Sequence, residues 1–157
     1  MNIEDFRKCF KLAFVCKYVD NYHFCSYQAP IDAEGRYLFQ VRVDTAGEYT
    51  FAFSQKGRRL FPLSSEYQYS DVTMIVAKEG PMNETTKQPE IQLMKCNQSF
   101  RDRENYIEFL ETDSLTPGTY WIQVKVEWDE ACYIQYNEEL VMNINSYGAN
   151  KVVFTLD

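Results

Sequence analysis

Residues 35–54 read GRYLFQVRVDTAGEYTFAFS, and this stretch decides the fold. Tyr37, Phe39, Val41 and Val43 alternate with Leu38, Gln40 and Arg42. Side chains two residues apart point to the same face of a strand, so this spacing predicts a strand with one apolar face. Thr45, Ala46 and Gly47 interrupt the pattern as a turn. It resumes over residues 48–54, with Tyr49, Phe51 and Phe53 on one face. Two alternating runs joined by a short glycine-containing turn predict a β-hairpin.

The same period recurs toward the C-terminus. Strands are predicted at 72–77, 91–95, 106–110, 119–128, 140–144 and 151–156. In the long run at 119–128, Tyr120, Ile122, Val124 and Val126 share a face with Trp128. Residues 79–90, EGPMNETTKQPE, are polar with two prolines and predict a flexible loop. Leu115-Thr-Pro-Gly118 predicts a turn. Many short strands with almost no helical period predict an all-β fold, an antiparallel β-sandwich of about eight strands. An up-and-down barrel around a ligand cavity is the alternative. Toward the N-terminus, residues 2–12, NIEDFRKCFKL, predict a short helix. Asn2 can cap it, and Glu4 and Asp5 sit in the first turn, where the helix dipole favours negative charge. Ile3, Phe6 and Phe10 fall on one side. So short a helix is marginal by itself, so its apolar side must lie on another part of the protein or on a partner. Residues 13–18 continue as a predicted strand.

The 157 residues suit one domain. Net charge is −7, which argues against a nucleic-acid partner, because phosphate contacts need a clustered excess of Lys and Arg. The charge permits a basic protein partner or a cation. Aromatic residues reach 16%, with twelve Tyr and eleven Phe, a composition suited to pleated, half-buried surfaces. The cysteines, Cys9, Cys16, Cys25, Cys96 and Cys132, include no CxxC pair, so neither a zinc site nor a redox motif is signalled. The N-terminal sequence MNIEDFRKCF is too charged for a signal peptide, and no apolar run approaches the ~18 residues of a membrane helix. These features lead to an expectation of a cytoplasmic protein.

The search for chemistry returns no catalytic set. His23 is the only histidine. Cys25, two residues on, would share its strand face, but no glycine-rich turn or nucleophile motif surrounds either residue. A structural role is the simpler reading for both. No phosphate loop, HExxH or EF-hand pattern occurs. Calcium needs six to eight oxygen ligands. The candidates for such a site are Glu127, Asp129 and Glu130, with Glu138 and Glu139 following; they could meet at one rim of a sandwich, as scattered surface acids also do. Lys56, Arg58 and Arg59 form one compact basic turn, read either as a solvated tip or as a contact for an acidic protein or a phospholipid headgroup. Three such charges, at roughly 1 kcal/mol each, hold an anionic surface only weakly.

Three stretches together resemble the calpain family. Ile3-Glu-Asp-Phe6, Phe10 and Val15-Cys16 are similar to the helix and strand that end the calpain protease core. Residues 47–59, GEYTFAFSQKGRR, resemble the strand that runs into a "Q-K-x-R-R" pattern. Leu115-Thr-Pro-Gly-Thr-Tyr120 resembles the "L-x-P-G-x-Y" turn and strand that follow. The matches stand in family order and span nearly the whole chain. The chain departs from the pattern in lacking the Trp before the "EDF" helix and the dense acidic loop. The resemblance implies that residues 29–157 are the non-catalytic, C2-like β-sandwich that follows the protease core. It implies that residues 1–28 are the helix and linker from the end of that core. It also implies that the family's catalytic Cys, His and Asn lie upstream of everything matched. The expected function is therefore a non-catalytic interaction or structural subunit without a cofactor. It would bind other protein subunits of a larger, by analogy cytoskeletal or ciliary, assembly through Ile3, Phe6, Phe10, Lys56, Arg58 and Arg59. The alternative is a calcium-dependent phospholipid-binding or regulatory domain of a calpain-type protease.

Overall fold

A computed structural model describes residues 20–157. The helix expected over 2–12 and the strand over 13–18 lie outside the described residues. Nine strands follow: β1 (His23–Ala29), β2 (Arg36–Val43), β3 (Tyr49–Gln55), β4 (Asp71–Met82), β5 (Pro89–Ser99), β6 (Glu104–Phe109), β7 (Gly118–Glu127), β8 (Met142–Gly148) and β9 (Val153–Leu156). One short helix, α1 (Glu130–Tyr136), sits between β7 and β8.

The strands form two antiparallel sheets, a four-stranded one in the order β1-β8-β3-β6 and a five-stranded one in the order β5-β4-β7-β2-β9. The two sheets pack face to face as a sandwich; they do not close into a barrel. The alternation in the sequence fills the space between them. Tyr37, Phe39, Val41 and Val43 from β2 meet Tyr49, Phe51 and Phe53 from β3, all at most 3% exposed. The Tyr37 and Phe53 rings lie 5.4 Å apart, and Phe39 meets Phe154 edge-on at 6.3 Å. Burying a side chain of this size contributes roughly 2–3 kcal/mol, so these rings are the main hold between the sheets.

The expected hairpin at residues 35–54 is not formed. β2 pairs with β7 and β9, and β3 pairs with β6 and β8. The link between them crosses from one sheet to the other. Gly47 anchors the crossing through paired backbone bonds with Leu115, at 3.0 and 2.9 Å, and the Tyr49 hydroxyl donates to Thr45 O at 2.9 Å. An apolar face at period two is satisfied equally by a hydrogen-bonded neighbour and by a strand across the core, so alternation alone does not choose between them.

Residues 79–90 also differ from expectation. β4 and β5 continue through them as a long hairpin reversed by residues 83–88 only. Pro89 is tolerated because β5 is an edge strand. Pro81 is tolerated because β4 runs past its last pair with β7, Lys78 with Tyr120. At the reversal Asn83 Oδ1 accepts from the Thr85 and Thr86 amides, and Lys87 takes the left-handed conformation at φ 56°.

Two elements had no forecast. β1 falls in the stretch read as a linker, and pairs with β8 from His23 opposite Gly148 to Ala29 opposite Met142. α1 buries Cys132 and Tyr136 on one side, against a satellite cluster of Phe61, Tyr67 and Leu140. Phe61 stacks on Tyr67 at 4.0 Å and meets Tyr136 at 5.3 Å. A helix of this length draws its stability from such packing rather than from its own turns.

Candidate interaction surfaces

The two outer faces of the sandwich differ in kind. On the four-stranded sheet, hydrogen-bonded polar side chains run across three strands: Ser26 Oγ donates to Asn145 Oδ1 at 2.7 Å, and Asn145 Nδ2 donates to Ser54 Oγ at 3.1 Å. An antiparallel sheet commonly turns such a polar face to water. The same face also carries aromatics: Phe24 meets Tyr147 at 5.1 Å, and Tyr106 is 52% exposed. On the five-stranded sheet the apolar side chains are gathered into one area. Register places Leu93, Ala77 and Trp121 side by side across β5, β4 and β7, and Ile75, Gln123 and Leu38 in the next row. Leu38, Ile75, Ala77, Ile91 and Trp121 line a shallow hollow of about 290 Å³ in which Gln123 is the only polar side chain, with Leu93 beside it. Ile91 and Leu93 stand 58% and 65% exposed.

The sequence reading missed this face, although the signal was there. Residues 74–77 read MIVA and residues 121–122 read WI, apolar at successive positions. A strand that is apolar on both faces is a strand meant to be covered on both.

The basic turn is only partly free. Lys56 Nζ lies 4.4 Å from the Phe61 ring centroid and 3.5 Å from Glu139 Oε2. Arg58 and Arg59 are exposed, and neither makes an ion pair among the described residues. The preceding Gln55 is wholly architectural. It is 3% exposed, its Nε2 donates to Ser70 O at 2.8 Å and Asp102 O at 3.0 Å, and its Oε1 accepts from the Ser70 amide. It thus ties the end of β3 to the entry of β4 and to the β5–β6 turn.

The acidic candidates do different jobs. Asp129 accepts from the Cys132 amide at 3.1 Å as the N-cap of α1. It shares a polar hollow of about 270 Å³ with Glu127, Asp71 and Arg101. There Arg101 donates its amide to Asp71 at 2.8 Å. Glu130 is exposed in the first turn of α1, Glu138 is exposed just after it, and Glu139 faces Lys56. Among the described residues no three His, Cys, Asp or Glu side chains are grouped to hold a metal ion.

His23 and Cys25 do share the inward-facing side of β1, and Cys25 packs at the margin of the core. Cys132 is buried, and that burial pushes its thiol up, which disfavours the thiolate a nucleophile needs. Its sulfur accepts from the Gln68 amide at 3.2 Å, a structural contact. Ile3, Phe6 and Phe10 lie outside the described residues. No helix among the described residues is long and apolar enough to cross a membrane. No protein-family model matches the chain, and no curated protein matches it.

Proposed function

We propose that the chain is a non-enzymatic interaction module that docks a protein partner on the outer face of its five-stranded sheet. The observation that carries this reading is the contiguous apolar surface that register makes of Leu38, Ile75, Ala77, Ile91, Leu93 and Trp121 across four strands. A contiguous apolar patch on a folded domain marks a contact site, because leaving it in water forfeits roughly 25 cal/mol per Å² of coverable area. Trp at its centre is the residue type that anchors protein interfaces. The resemblance to the calpain sandwich is consistent with this reading, since such a domain works by packing on a neighbour. The alternative, a calcium-dependent lipid-binding domain, has less support: Asp129 is engaged in capping and Glu139 faces Lys56.

The test is affinity purification with the wild-type chain and with Ile91→Glu/Leu93→Glu. Both side chains are exposed, so thermal unfolding should stay within a few degrees of wild type. A stoichiometric partner held by the wild type should be lost from the double variant. An unchanged partner set would sink the proposal. Liposome sedimentation with and without calcium addresses the alternative, for which calcium-dependent binding to anionic vesicles is the required result.

A further inference from the structure

The segment between β3 and β4 holds a second surface of different chemistry. Residues 58–60 make a single tight turn, with the Leu60 amide donating to Gly57 O at 2.8 Å. The Arg58 amide donates to the Tyr69 hydroxyl at 2.9 Å, which clamps the two ends of the loop together. Phe61 is seated in the satellite aromatic cluster, so the loop stands on a fixed floor. Above that floor lies a groove of about 420 Å³ lined by Arg58, Arg59, Phe61, Pro62, Leu63 and Tyr69. Leu60 is 70% exposed and Leu63 is fully exposed.

In a chain of net charge −7, two arginines stand together with no carboxylate partner among the described residues, beside leucines with no cover. We infer that this groove binds an extended acidic peptide segment of a partner protein. Carboxylates of the peptide would meet Arg58 and Arg59, and an adjacent apolar side chain would lie on Phe61, Pro62 and Leu63. Guanidinium groups suit this role because their planar donor fork takes a carboxylate in two parallel bonds. A concave groove on a rigid aromatic floor fits a single chain rather than a flat bilayer. An anionic bilayer would also meet the negative net charge of the whole molecule and the exposed Glu66 and Glu139 nearby. Two unpaired cations contribute only about 1 kcal/mol each to bilayer attachment.

This site is independent of the outer face of the five-stranded sheet, and its test is separate. A phage-displayed library of random octapeptides is selected on the folded chain, and the enriched consensus is measured by fluorescence anisotropy. Enrichment of Asp or Glu next to Leu, Ile or Phe is expected, with affinity falling steeply as salt is raised. Arg58→Glu/Arg59→Glu should weaken the consensus peptide at least tenfold with an unchanged unfolding temperature. Arg58→Lys/Arg59→Lys, which keeps the charge and loses the fork, should fall between. Ile91→Glu/Leu93→Glu should leave peptide binding as it was. Failure to enrich any acidic consensus, or binding indifferent to the arginine substitutions, would overturn the inference. So would sedimentation with phosphatidylserine vesicles that depends on Arg58 and Arg59, which would assign the groove to membranes.

Discussion

Two buried polar side chains set opposite expectations for substitution. Gln55 answers three backbone groups, Ser70 N, Ser70 O and Asp102 O, from a site closed to water. Gln55→Leu removes those bonds and strands their partners, each costing about 1–3 kcal/mol when left unmet. A loss on the order of 3 kcal/mol should appear in urea denaturation. Tyr67 is the reverse case. It is 1% exposed and its hydroxyl has no hydrogen-bond partner among the described residues. Tyr67→Phe removes an oxygen that gains nothing inside, so it should raise stability by about 1 kcal/mol, read in the same assay. A drop would mean that the hydroxyl has a partner. The sequence showed Gln55 only as the first letter of a basic stretch resembling a calpain pattern. Its role depends on segments that arrive 15 and 47 residues later.

Among elements, α1 exists because Asp129 caps it and the aromatic cluster receives it. Asp129→Ala should cost about 1 kcal/mol, while Asp129→Asn, which caps as well, should cost little. If Asp129 instead held calcium, the Asn variant would abolish a calcium-induced rise in melting temperature, so scanning calorimetry with and without calcium separates the two roles. Legibility followed element type. β2, β3 and β7 were readable because strict alternation matches a strand with one face in the core. β1 was not readable, because HFCSYQA mixes polar and apolar residues on both faces at a sheet edge. The β4–β5 hairpin was under-read because its two prolines sit where no ladder donor is needed. The basic turn was visible as charge, but the groove beside it needed Tyr69, Phe61 and Pro62 brought together in space. The apolar outer face was invisible as a unit, being assembled from four strands.

For the molecule as a whole, its tyrosines give stability an alkaline edge. Burial pushes the hydroxyls of Tyr37, Tyr49, Tyr67 and Tyr147 upward, Tyr67 from 10.0 to about 12. The folded chain therefore holds these protons more tightly than the unfolded chain. Stability should be level below pH 10.0 and should fall as pH climbs from there to about 12. Circular dichroism across that interval should show a steep loss for the wild type and a shallower one for Tyr67→Phe. Equal slopes would contradict the assignment.

The position of β8 has a bearing on how the protein is made. β8 lies between β1 and β3, so it joins strands that begin 119 and 93 residues before its own first residue, Met142. As the chain leaves the ribosome, β1, β3 and β6 emerge first and must wait for it. Over that interval Phe51, Phe53 and Ile107 lack one of the two inner strands of their sheet. Contacts so distant along the chain slow folding and lengthen exposure of apolar surface. Chaperone occupancy on nascent chains should therefore persist until the residues of β8 have cleared the exit tunnel.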